Sequence, residues 1–291
     1  MDTFSSDTSV TKRTAEWYEV PEDSIPSAVE NLVEFWPKSF NIYNFIIENL
    51  KLSREFGKTK VQLYRNKQNG LLIATIKGGY RRASIYSSIN DYSGIEVALR
   101  DERIINFSKG AVLFCAVKMD CYEVLENICP SLGKSIIHHY PGIFDLFWLR
   151  AEVAKSINVE CPEDMYFSKL EEVHTDIVNS TWQYGSSETF EMVNDLIKFM
   201  DTVGLYTKKD SQLVAWVLNT NYGIGMLYTI EGHRKKGYGT LVLKKLAKIL
   251  GQSGRNSTLV TLQENLAAKA VFSKIGFEFI EPVMYREIAN N

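Results

Sequence analysis

The stretch from Glu231 to Thr240 reads Glu-Gly-His-Arg-Lys-Lys-Gly-Tyr-Gly-Thr, and its residue types suit the binding of an anion. Glycines at 237 and 239 let a bulky group approach the backbone without meeting a side chain. Arg234, Lys235 and Lys236 add cationic charge beside them. Just after, Leu241, Leu243, Leu246, Ile249 and Leu250 recur at helical spacing, so the loop opens a helix. The first amides of a helix lack intrahelical partners and point outward, and the helix dipole adds partial positive charge there. Arg234, Lys235, Lys236, Gly237, Tyr238, Gly239 and Thr240 are therefore a candidate diphosphate cradle. A solvated basic turn accounts for the loop alone equally well. The spacing is neither G-x-x-x-x-G-K-[ST] nor G-x-G-x-x-G, which argues against ATP and dinucleotide sites.

The elements around the loop follow from periodicity. Helices are expected over residues 168–181 and 187–200, the second capped by Ser186 or Ser187. Strands are expected over 203–206, 212–218, 224–230 and 258–262, then a helix over 265–275 and two final strands around Phe277 and Met284. In the first half, residues 25–52 read as helical with a break at Pro37. Strands follow at 60–64, 71–76 and 84–89, a helix over 95–107, a strand over 111–117, a helix over 122–128 and a strand within 141–149. The halves thus share an order of helices, strand meander, helix, strand, helix and strand, which hints at a duplicated fold. The polar segment 158–164 with Pro162 is the expected boundary: a tail over 1–14, a first domain over 15–160 and a second over 161–291.

Composition narrows the classes. The 291 residues are 45% hydrophobic and 23% charged, ordinary for a globular protein. A formal net charge of -2 offers no global field for nucleic acid, and no aromatic-basic RNA motif appears. Cys115, Cys121, Cys129 and Cys161 form no C-x-x-C pair, and the histidines lack ligand spacing, so reduced cysteines and no metal are expected. No apolar run spans a bilayer, and neither a secretory leader nor a transit peptide is evident; a cytoplasmic location is the default.

At this point the residues resemble a family. Arg234-x-x-Gly237-x-Gly239 resembles the R-x-x-G-x-G/A motif of the GCN5-related N-acetyltransferase (GNAT) superfamily. Residues 265–277, from Asn265 to Gly276-Phe277, resemble that superfamily's closing motif. His174, Val178, Asn179, Trp182, Tyr184 and Gly185 resemble the acceptor-side segment of its glycine N-acyltransferase-like branch. The likeness spans residues 165–288. It implies an α/β (α+β) fold of two tandem GNAT-like domains, each a mixed, mostly antiparallel twisted sheet flanked by helices, the first degenerate. It implies acetyl-CoA or a longer acyl-CoA as co-substrate and a small amine, such as an amino acid, as acceptor; family members also make a mitochondrial location conceivable. Leu227, Tyr228, Thr229 and Ile230 would hold the pantetheine arm as an added strand. The cradle would hold the diphosphate, and Asn265, Lys269 and Phe272 would face the pantetheine and adenosine end.

The catalytic groups depart from the family pattern. Gly223 aligns with the glutamate base of the glycine N-acyltransferases, and Phe272 with the usual tyrosine acid. Tyr228 and His174 are substitute candidates for acid and base, and Trp182 and Tyr184 for an acceptor wall. A non-catalytic CoA-binding or interaction protein, or a protein N-acetyltransferase, stands as an alternative on the same fold.

Overall fold

The computed structural model describes residues 16–77, 81–137 and 142–291. The tail expected over residues 1–14 lies outside them. The first half runs β1 (Trp17–Val20), α1 (Ile25–Glu30), α2 (Phe40–Phe56), β2 (Lys60–Asn66), β3 (Leu72–Lys77) and β4 (Arg82–Tyr86). It continues through α3 (Ile95–Arg100), β5 (Val112–Lys118), α4 (Met119–Ile128), β6 (Lys134–Ile137) and β7 (Phe144–Leu149). α5 (Ala151–Lys155) leads to the second half, which runs β8 (Met165–Ser168), α6 (Thr175–Thr181), α7 (Phe190–Phe199), β9 (Thr202–Thr207), β10 (Leu213–Thr220) and β11 (Gly223–Thr229). It ends with α8 (Tyr238–Gln252), β12 (Ser257–Leu262), α9 (Leu266–Ile275) and β13 (Glu278–Asn290).

The described strands join in one mixed sheet, ordered β1-β2-β3-β4-β5-β13-β7-β12-β11-β10-β9-β8, with β6 beside β13. Its described pairings are antiparallel except β4–β5 and β11–β12. The order shows that the halves exchange their closing strands. β7 of the first half pairs with β12 from Ser257↔Leu149 to Leu262↔Phe144. β13 of the second half pairs with β5 from Val283↔Lys118 to Ile288↔Val112. Each half therefore repeats one topology, and neither sheet is complete without the other. Helices on both faces bury the sheet: β10 is buried along its whole length, with Val214, Ala215 and Val217 in one core cluster and Leu213, Trp216 and Leu218 in the other.

The repeat of elements is as read from periodicity, with local differences. The two strands expected around Phe277 and Met284 are one strand of 13 residues. Register shifts at Phe279/Glu281 and Met284/Arg286 let it cross from one half's sheet to the other. The helix expected over 95–107 stops at Arg100, because Asp101 turns extended and its Oδ1 accepts from the Arg103 amide at 2.9 Å. Residue 168 is not helical: it pairs with Gly204 at the end of β8. The helix expected from 187 starts at Phe190, since Thr189 Oγ1 accepts from the Ser186 amide at 2.8 Å and donates to Asn179 Oδ1 at 2.7 Å, which folds 186–189 into a turn.

Candidate functional site

The site begins where β11 parts from β12. The two strands share a single ladder pair, Ile224↔Leu259. Beyond it β11 places two residues, Met226 and Leu227, between Gly225 and Tyr228 against one on β10, Val217, between Leu218 and Trp216. That extra residue is a bulge, and Met226 takes a left-handed φ of +53° within it. The bulge bends Leu227, Tyr228 and Thr229 away from Val260, Thr261 and Leu262, so a V-shaped opening forms between parallel strands. Gly223 makes the apex possible. Its φ is +133°, and a Cβ there would stand 2.8 Å from both the carbonyl oxygen and Oγ1 of Thr258. A side chain larger than glycine's hydrogen has no room at this position.

The loop from Glu231 to Gly237 closes the outer end of the opening and delivers the chain into α8. Gly237 is the N-cap residue, at φ +80°, and a Cβ built on it meets nothing within 4 Å. Lys235 is left-handed as well, at φ +62°. Arg234, Lys235 and Lys236 are exposed, while Tyr238, Gly239 and Thr240 form the half-buried first turn. The helix N-terminus therefore presents unhindered backbone amides beside three cations. Arg234 is turned back onto β11: its Nε donates to the Thr229 carbonyl and its Nη2 to Tyr228 Oη, each at 3.1 Å. The guanidinium lies 5.3 Å from the Tyr228 ring, which stacks on Trp216 at 5.1 Å. The candidate acid Tyr228 thus lines the cavity with its hydroxyl held at the cradle side.

The closing helix α9 flanks the opening. Asn265 caps it, its Oδ1 accepting from the Ala268 amide at 3.1 Å. Phe272 is buried edge-on against Phe147, with ring centroids 5.6 Å apart, and lines the cavity. Lys269 is directed elsewhere: its Nζ pairs with Asp145 Oδ2 of β7 at 2.6 Å and donates to the Gln263 carbonyl at 3.0 Å. His174, the candidate base, is also away from the cavity, which it does not line. Its Nδ1 accepts from the Glu171 amide at 3.0 Å, and its ring sits 5.7 Å from that of Tyr206.

The opening widens into a cavity of about 490 Å³. Trp182 and Tyr184 wall it from the turn after α6, their rings 5.7 Å apart and perpendicular. Much of the remaining wall was missed in the sequence. Arg82 of β4, Leu113 and Cys115 of β5 and Phe144 of β7 reach in from the first half, and Tyr222 and Tyr285 from the second. The strand exchange that brings these residues together leaves no local signal in the sequence. Arg82 is 4% exposed, its Nη1 donating to Asn221 Oδ1 at 3.1 Å and its guanidinium 5.1 Å from the Tyr222 ring.

Electrostatics set the protonation of these walls. Burial pushes the Tyr184 and Tyr222 hydroxyls up, so both are neutral donors at pH 7. Burial pushes the Cys115 thiol up to about 11, which leaves it protonated and a poor nucleophile. Among the described residues no group of three or more His, Cys, Asp or Glu could hold a metal ion. No described helix is long and apolar enough to cross a membrane.

Comparison with known proteins agrees with this fold. Residues 202–286, from β9 into β13, match the model of the FR47-like protein family. A Drosophila protein of known crystal structure is similar over 95% of this chain and 99% of its own, at 15% identity and a TM-score of 0.81. A tandem GNAT protein from the clavulanic acid biosynthesis pathway, solved without AcCoA, is similar over 94% of this chain and 98% of its own, at 12% identity and a TM-score of 0.55. A GCN5-related N-acetyltransferase from Kribbella flavida covers 85% of this chain and 95% of its own, at 13% identity and a TM-score of 0.51. No match is found among curated protein sequences. The fold is that of tandem GNAT proteins, two mixed-sheet halves in one chain.

Proposed function

We propose that the chain is an acyl-CoA-dependent N-acyltransferase acting on a small amine, akin to the glycine N-acyltransferase-like branch of its fold. The observation that carries this reading is continuity. The splayed end of β11 lines the aromatic cavity at Met226, Leu227 and Tyr228, and the chain runs on from it through the 231–237 loop to the open amides at Gly237, the order in which an acyl-CoA would present its thioester, pantetheine and diphosphate. The amides of the cradle, with Lys235 and Lys236, take the diphosphate. The β11 edge from Leu227 to Ile230 takes the pantetheine amides as an added strand. A cavity of about 490 Å³ is of small-molecule size.

The reaction is direct transfer. The neutral amine attacks the thioester carbonyl and a C–N bond forms; the nitrogen, made acidic by attack, loses a proton, the C–S bond breaks, and the thiolate leaves as the thiol on gaining one. The protonated Cys115 argues against a cysteine-bound acyl intermediate. Tyr184 and Tyr222, neutral hydroxyls on the cavity wall, can donate a hydrogen bond to the departing sulfur, while the proton it takes up is the one the nitrogen gives up. The thioester is already activated, so positioning provides much of the rate.

One observation favours a second reading, a coenzyme A-binding protein without turnover: Gly223 leaves no space for the family base. The two separate in one assay. Thiol release from acetyl-CoA is followed with a panel of small amines, alongside calorimetric titration of CoA. Acceptor-dependent release supports the acyltransferase. Tight CoA binding with no acceptor-dependent release across the panel supports the binding protein, and absent CoA binding defeats both.

A further inference from the structure

The first half supplies the charge in the cavity. Among the described residues that line it, Arg82 alone carries a formal charge. It opens β4 in register with Leu113 of β5 and stands almost wholly buried. Its orientation is fixed from several directions. Nη1 donates to Asn221 Oδ1 at 3.1 Å, Nη2 to Met192 Sδ at 2.8 Å, and the guanidinium faces the Tyr222 ring. Asn221 is fixed in turn: its Nδ2 donates to Asn49 Oδ1 at 3.1 Å, and Asn49 Nδ2 donates back to its carbonyl at 3.2 Å. Three elements from both halves thus hold one guanidinium at the wall of a pocket whose other described lining residues carry no formal charge.

We infer that Arg82 recognises a carboxylate on the substrate entering this cavity, which makes the first half the specificity-determining half. The inference rests on the acyltransferase reading. A planar guanidinium offers parallel N–H donors that match a carboxylate, and the low dielectric of the pocket strengthens that contact. The same field repels an ammonium that brings no anion of its own, so the pocket discriminates by charge as well as shape. The carboxylate has two possible sources with the same chemistry: the acceptor amine, as in an amino acid, or the far end of a dicarboxylic acyl chain.

Binding to the intact protein tests this without requiring turnover. In the acceptor arm, N-acetylglycine and N-acetylglycinamide are titrated into protein saturated with CoA. In the acyl arm, succinyl-CoA is compared with butyryl-CoA. A preference of roughly tenfold or more for the carboxylate in one arm is expected, and the arm identifies its source. Arg82→Met should erase that preference and Arg82→Lys should retain part of it. Both variants are read only with CoA affinity retained, and the wild-type pairs stand even if a variant fails to fold. Equal affinities within both pairs, or a preference that survives Arg82→Met, overturns the inference. Failure of wild type to bind CoA at all instead defeats the acyltransferase reading beneath it.

Discussion

Replacing Gly237 with aspartate should abolish tight CoA binding while leaving the protein folded. The position is suited to the test because a side chain there meets nothing within 4 Å, so no steric rearrangement follows. The left-handed φ of +80° costs a non-glycine residue about 1 kcal/mol, and aspartate tolerates that region better than most. The new charge acts on the ligand. A carboxylate about 5 Å from a diphosphate of charge about -2 is repelled by roughly 1.7 kcal/mol in bulk water and by roughly 6.6 kcal/mol at an effective dielectric of about 20. Even the lower figure weakens Kd roughly twentyfold. Calorimetric titration of CoA at low and high salt reads both parts, since screening should recover some affinity. Gly237→Ala is the control: it carries the backbone cost without the charge and should melt slightly lower with CoA affinity close to wild type. An aspartate variant that binds like wild type, or an alanine variant that loses as much as the aspartate, would refute the cradle.

Four further outcomes follow from the structure. Gly223→Ala places a Cβ 2.8 Å from Thr258 backbone and side-chain oxygens, so the variant should lose about 1–3 kcal/mol in denaturant unfolding, and unchanged stability would mean the strand junction is looser than described. His174→Ala should leave acceptor-dependent turnover at the wild-type level, because the imidazole is spent on the Glu171 amide; Tyr228→Phe should also remain active, since that hydroxyl is held by Arg234, and a turnover loss of a hundredfold in either would restore it as a catalytic group. Burial holds the Glu48 carboxyl above its ordinary value of 4.5, so the native state retains its proton longer than the unfolded chain. The stability this group contributes is therefore greatest in acid and falls as pH rises through its folded-state value. The melting-temperature difference between wild type and Glu48→Gln should shrink or reverse as pH rises through that range, and a pH-independent difference would contradict it.

The parts of the site that were legible in the sequence are those built from contiguous residues. The helical spacing of Leu243, Leu246 and Leu250 and the glycine at 237 are local signals, and the loop does open α8. Asn265 announces the start of α9 because a side-chain cap acts within four residues. What stayed hidden depends on pairing at a distance. Nothing in residues 144–149 says that they close the other half's sheet, so Phe144 and Arg82 could not be placed in the cavity. Lys269, expected to face the pantetheine and adenosine end, is drawn aside by Asp145, which lies 124 positions earlier in the chain. The end of α3 was missed for a local reason of another kind: the Asp101 turn competes with a helical pattern that continues through Ile104 and Ile105.

Thermal melting with and without CoA and acetyl-CoA is the most direct test of the channel. A ligand at 100 times its Kd stabilises by about 2.7 kcal/mol, which for a protein of this size is a rise of several degrees. The cradle and splayed strand predict that rise for both compounds and its loss in Gly237→Asp. A cooperative melt that neither compound moves would contradict the account, leaving β11 and β12 a feature of the fold without a ligand.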